Sequence, residues 1–117
     1  MEDADFSDDF CRFIQSAIPS VDAAESLLAL MTAEGQPVPV SPGEPSRLVE
    51  ALRACGLVEL DRHGRACFAP ATPELRRHAQ TLANAYRERP VTLIRVIYAL
   101  RDAKIKSFAE AFRIRKP

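Results

Sequence analysis

Glycine is scarce in this chain. Four occur among 117 residues and they are not clustered, so there is no glycine-rich loop of the kind that cradles phosphate. The sequence also lacks a nucleophile elbow and a metalloprotease helix motif. These absences argue against an enzyme, and no cofactor is expected. Cysteine is equally sparse. Cys11, Cys55 and Cys67 are an odd number at wide spacing, which speaks against a disulfide framework and predicts free thiols in a reducing compartment. No apolar run is long enough to span a bilayer, so no membrane partner is expected. The start, "MEDADFSDDF", is acidic, unlike a signal or transit peptide, and predicts a cytoplasmic protein. Net charge is absent too: 16 basic and 16 acidic residues balance at pH 7. The chain as a whole therefore has no general attraction to polyanions.

The balance hides a strong segregation. Residues 1–34 hold eight acids and one base, residues 35–70 four of each, and residues 71–117 eleven bases and four acids. The ends thus carry −7 and +7, which suits either a polyanion site at the basic end or two surfaces that neutralise each other.

Helical spacing recurs along the chain. Phe6, Phe10, Phe13, Ile14, Ala17 and Ile18 form one stripe, with Ser7 or Asp5 as cap, Asp8 and Asp9 at the positive end of the dipole, and Pro19 as the stop. The three phenylalanines predict core or subunit interface. Ser20 caps a second helix with Val21, Ala24, Leu27, Leu28 and Met31 inward, up to Gly35. "QPVPVSPGEP" carries four prolines and predicts an extended connection with one short strand at 38–40. Ser46 caps a third helix on Leu48, Val49 and Leu52, stopped by Gly56. Residues 57–60 and 66–69 then read as a hairpin around "DRHG", where Asp first and Gly last suit a type I turn. Val58, Leu60, Ala66 and Phe68 share one face of it, Glu59 and Cys67 the other.

Thr72-Pro73-Glu74 is a helix start. It leads to inward Leu75, Ala79, Leu82 and Tyr86, with Arg76, Arg77, Arg87 and Arg89 facing water. Pro90 opens a further helix on Leu93, Ile94, Ile97 and Tyr98. Asp102 caps a last one with Ile105, Phe108 and Phe112 as knobs. The fold class expected is mainly α with one β-hairpin.

Helix, connection, helix ending in "ACGLVEL", then hairpin, resembles the winged helix-turn-helix transcription regulators of the multiple-antibiotic-resistance-regulator type. Leu52, Gly56, Leu57 and Val58 carry the "LxxxGLV" signature that joins the recognition helix to the first wing strand. The resemblance covers residues 20–70. The length of 117 residues suits a single domain of 1–117, read as an N-terminal helix at 1–19, the winged-helix-like core at 20–70 and a helical extension at 71–117. The resemblance implies transcription regulation through double-stranded DNA, with Arg47 and Arg53 on the recognition helix and Arg62, His63 and Arg65 on the wing. Helices after the wing often build a dimer interface in this family. A homodimer is expected, with Phe6, Phe10, Phe13, Ile94, Ile97, Tyr98, Phe108 and Phe112 as the candidate interface.

The chain departs from the family in one respect. Twenty residues separate Gly35 from Gly56, and the first ten are proline-rich. The helix that crosses the phosphate backbone and fixes the recognition helix is missing or reduced to one turn. The alternative function is therefore a degenerate winged helix that docks a regulatory protein partner and does not bind DNA. Two further chemistries have weaker signals in the sequence. Cys55, His63, Cys67 and His78 lack metal-ligand spacing, and no metal is expected. Cys67 beside Arg62, His63 and Arg65 could hold a reactive thiol.

Overall fold

A computed structural model describes residues 6–33 and 35–115, with side chains through Ala103. Among them are five helices and one hairpin: α1 (Asp8–Ala17), α2 (Val21–Thr32), α3 (Glu44–Ala54), β1 (Val58–Leu60), β2 (Ala66–Phe68), α4 (Pro73–Glu88) and α5 (Pro90–Arg115). The chain is mainly α with one antiparallel hairpin.

The caps lie where local chemistry places them. Ser7 Oγ accepts from the Phe10 N–H at 3.1 Å, Ser20 Oγ from the Ala23 N–H at 3.1 Å, and Thr72 Oγ1 from the Leu75 N–H at 3.1 Å. Each satisfies a donor that the first turn would otherwise leave unpaired. α3 begins earlier than expected. Its N-cap is Gly43, at φ 95°, and Pro45 lies in the first turn. Ser46 is therefore inside the helix and not its cap, because the proline ring already holds the helical φ at that point.

α3 ends in a Schellman motif. The Leu57 N–H donates to the Leu52 carbonyl at 3.1 Å and the Gly56 N–H to that of Arg53 at 3.0 Å. Gly56 sits at φ 83°, a conformation that costs any residue with a Cβ. Leu52 and Leu57, which flank this turn, are fully buried. The chain then pairs Val58 with Phe68, Glu59 with Cys67 and Leu60 with Ala66. Val38 adds a one-residue third strand: its N–H and carbonyl exchange 2.8 Å bonds with Ala66. Ala66 thus bonds to the linker, in the spatial order Val38, β2, β1. Among the described residues no helix lies between α2 and α3.

The elements pack as two groups around one continuous core. α2, α3 and the hairpin contact one another, and α1, α4 and α5 form the second group. Phe10, Phe13, Ile14, Leu27, Leu52, Leu57, Leu82, Leu93 and Ile97 are buried together.

Several expectations change. α5 is one continuous helix, and Asp102 lies within it, not at a cap. No proline or glycine occurs between Pro90 and Pro117, so nothing local stops the helix. Its buried face is Leu93, Val96 and Ile97, with Leu100 half-buried. Tyr98 points outward, 49% exposed, and Ile94 is half-buried. In α2 the inward face includes Ala23 and Leu30, while Val21, Leu28 and Met31 are half-buried. That helix is apolar nearly all round, so periodicity did not choose its face. Leu60 is exposed at the turn end of the hairpin, beside Asp61.

Candidate functional site

The hairpin turn is built around Asp61. Its Oδ1 accepts from the His63 N–H at 2.9 Å and the Arg65 N–H at 2.8 Å. Its Oδ2 accepts from Arg65 Nε at 2.8 Å. The Gly64 N–H donates to the Asp61 carbonyl at 3.0 Å, and Gly64 takes φ 76°. A type I turn followed by a left-handed glycine matches the twist of the two strands. The bond from the Arg65 N–H is the chief reason the Asp61 carboxyl lies below its ordinary pKa; the Arg65 side chain and the His63 N–H act in the same direction. This clamp consumes Arg65 and leaves Arg62 and His63 exposed at the tip. Among the described residues neither of those two side chains has an acidic partner.

The arginines on α3 are exposed but paired. Arg47 lies 3.6 Å from Glu44, and Arg53 forks onto Glu50. The outward face Glu44, Arg47, Glu50, Arg53 is therefore neutral. Of the five residues expected at a DNA surface, the structure brings Arg62, His63 and Arg65 onto one turn, and Arg47 and Arg53 onto one helix.

Of the expected interface residues, Phe10, Phe13 and Ile97 belong to the chain's own core. They cannot also present a surface, because α1 lays Phe10 and Phe13 against α4 and α5, and Ile97 of α5 is buried in the same core. Phe6, Ile94 and Tyr98 remain accessible in part. The side chains of Phe108 and Phe112 lie outside the described residues.

The cysteine and histidine positions do not converge, and no group of three potential metal ligands forms among the described residues. Cys55 Sγ faces the Ser16 carbonyl at 3.6 Å, and Cys67 Sγ donates to the Gly35 carbonyl at 2.8 Å. His78 stacks on Phe13, ring centroids 5.2 Å apart, with Phe10 at 6.2 Å.

Two clefts went unforeseen. The first, about 320 Å³, lies between the start of α1 and α4 from Arg77 to Glu88, with Asp9, Arg89 and the buried His78 also in its lining. The signal was present, since His78 falls within the apolar stripe Leu75, Ala79, Leu82. The second, about 240 Å³, is apolar and runs between Ile14, Ile18 and Pro19 of one side and Ile97, Leu100 and Arg101 of the other. Among the described residues no helix is long and apolar enough to cross a membrane. No family model, curated protein or solved structure matches the chain.

Proposed function

We propose that this chain is a non-enzymatic winged-helix regulatory protein of the cytoplasm that acts in transcription and touches DNA through its wing. The observation that carries the reading is the order α2, Val38 strand, α3, β1, β2, with the Val38 strand hydrogen-bonded to β2. A winged helix likewise has a strand ahead of its helix-turn-helix that joins the sheet of the wing; the order here matches it except for the positioning helix, which is absent among the described residues. The Asp61 clamp supports it further, since a preformed turn spares the backbone beneath Arg62 and His63 an ordering cost on contact. The basic helices α4 and α5 supply longer-range attraction.

Fluorescence anisotropy with mixed genomic duplexes at low and moderate salt tests this. Binding is expected at low salt and weakens as salt rises. Arg62→Ala lowers affinity and cuts the salt slope by about 1, the signature of one lost phosphate contact. No binding of the wild type at low salt overturns the DNA reading.

The neutral face of α3 favours a second reading, in which the same scaffold docks a regulatory protein. α3 carries a glutamate one turn before each arginine, and among the described residues no positioning helix precedes it. Under that reading the duplex assay is silent.

A further inference from the structure

His78 is the one buried polar side chain among the described residues, at 9% exposure. Its ring stacks on Phe13 and stands 6.2 Å from Phe10. Among the described residues no group hydrogen-bonds to either ring nitrogen, and neither nitrogen is sealed from solvent. His78 lines the cleft between α1 and α4, so both nitrogens open into it. An imidazole carries at least one N–H in every state, and a buried donor is costly to leave unpaired. Its partner comes from whatever enters the cleft.

The wall beside His78 is a polar stripe. Arg77, Thr81, Asn84 and Glu88 line the cleft and stand four, three and four residues apart on α4. That spacing returns to the same side of a helix after about three turns. Arg77 and Glu88 mark the two ends, about 16 Å apart along the axis. Both are exposed, and among the described residues neither has a charged partner. The other charges of the lining are engaged: Asp9 pairs with Arg12 at 3.4 Å, and Arg89 lies over the Phe6 ring at 4.9 Å. Between the ends, Thr81 Oγ1 donates to the Arg77 carbonyl at 3.0 Å, which leaves its lone pairs to accept. Asn84 Oδ1 accepts from Arg87 at 2.9 Å, which leaves its amide hydrogens to donate.

We propose that this cleft binds a short peptide as its zwitterion, with the carboxylate on Arg77 and His78 and the ammonium on Glu88. A guanidinium meets both oxygens of a terminal carboxylate. The peptide N–H and carbonyl groups between the ends find Thr81 and Asn84. An ion of one sign suits one end of the cleft and meets the wrong charge at the other. A free amino acid carries both charges but holds them too close together. At about 3.5 Å per residue, three or four residues span about 10–14 Å, and the Arg77 and Glu88 side chains lean in over the rest. The volume of about 320 Å³ is at the lower end for small-molecule sites, so the side chains are small, with Phe10 and Ala85 as their apolar contacts. The proposal goes beyond the DNA reading and holds whether or not the wing binds a duplex.

Isothermal titration of the full chain with tri-alanine tests the site. Binding is expected with a dissociation constant of about 0.1–1 mM. Tri-alanine blocked by N-acetylation or by C-amidation binds about tenfold more weakly. Arg77→Gln and Glu88→Gln, both at exposed positions, also weaken tri-alanine about tenfold, with unchanged circular dichroism. The losses pair up: Glu88→Gln has no further effect on the acetylated peptide, and Arg77→Gln none on the amidated one. In nuclear magnetic resonance the His78 ring signals move with the same dissociation constant, while those of His63, on the hairpin turn, stay in place. No binding at about 10 mM tri-alanine overturns the proposal. An acetylated peptide that binds as tightly as tri-alanine makes this a site for anions alone and overturns the zwitterion, as does an equally tight amidated one. Bound peptide that leaves the His78 signals unmoved lies elsewhere and overturns the site.

Discussion

Gly56→Ala is the perturbation that asks most directly how the hairpin is joined to α3. Gly56 takes φ 83°, and a Cβ there meets Ala71 Cβ and Leu75 Cδ1 at 3.4 Å each. A left-handed conformation costs a residue with a side chain about 1–2 kcal/mol. The substitution also stiffens the unfolded chain, which returns about 0.5 kcal/mol. The two contacts stand at the edge of ordinary van der Waals distance, and the Leu75 side chain can shift by a few tenths of an ångström. Net destabilisation is therefore about 1 kcal/mol, most of it from the backbone. At an unfolding entropy of about 2.1 cal/mol/K per residue, this lowers the melting temperature by about 4 °C. Thermal unfolding followed by circular dichroism measures it. Gly64→Ala is the internal comparison, since Gly64 has φ 76° and nothing within 4 Å of its added Cβ. The two variants should lie close together, with Gly56→Ala slightly the worse. An unchanged or higher melting temperature for Gly56→Ala would refute the account, because the Schellman turn would then not require the left-handed residue.

Two further predictions concern titration. The Asp61 carboxyl is held below its ordinary value, chiefly by the Arg65 N–H, so its contribution to the turn is present above the unfolded carboxyl pKa and is lost as pH falls through the folded one. Nuclear magnetic resonance should show the Arg65 and His63 amides losing protection on that acid limb, and Asp61→Asn should abolish the pH step. Tyr86 donates to Glu25 Oε2 at 2.8 Å across 61 residues of sequence. That bond, followed by burial, raises the phenol pKa, so its stabilisation is complete below the unfolded phenol pKa and fades as pH rises through the folded one. Ultraviolet titration should place the phenol above its ordinary value in the wild type and nearer to it in Glu25→Gln.

Where one chemical signal dominated, the sequence was enough. Ser20 and Thr72 were legible as caps, Ser7 as one of two candidates beside Asp5, and "ACGLVELDRHGRACF" as helix stop, strand, turn and strand, because each depends on neighbours a few residues away. The face of α2 was not legible, since Val21, Leu28 and Met31 are as apolar as Ala23 and Leu30 and only packing against α3 and β2 decides between them. In α5 the pattern Leu93, Ile94, Ile97, Tyr98 merged two stripes into one. A helix with two apolar faces gives a blurred period, and the structure separates them by burying Val96 and Ile97 and leaving Val91 and Tyr98 out. At the candidate DNA surface, sequence placed all five basic residues on exposed positions. It did not anticipate that Asp61 would take Arg65, or that Glu44 and Glu50 would take Arg47 and Arg53.

Those pairings give the two functional readings different consequences. An exposed ion pair one helical turn apart is worth well under about 1 kcal/mol, so Arg47 and Arg53 could leave their glutamates for phosphate at little cost. The glutamates, however, stay one turn away and face the same phosphates. At close range they repel about as much as the arginines attract, and α3 contributes no net counterion release. Asp61 differs because its oxygens are spent on N–H groups within the turn, which leaves Arg62, among the described residues, with no acidic partner. A DNA complex formed by the wing therefore has a shallow salt dependence, near the ~0.9 per phosphate expected of one or two contacts in each copy. Glu44→Gln with Glu50→Gln then discriminates. If α3 faces DNA, removing both carboxylates strengthens duplex binding and steepens its salt slope. If α3 faces a protein instead, duplex binding does not change, and the reading of this helix as a DNA-facing element fails.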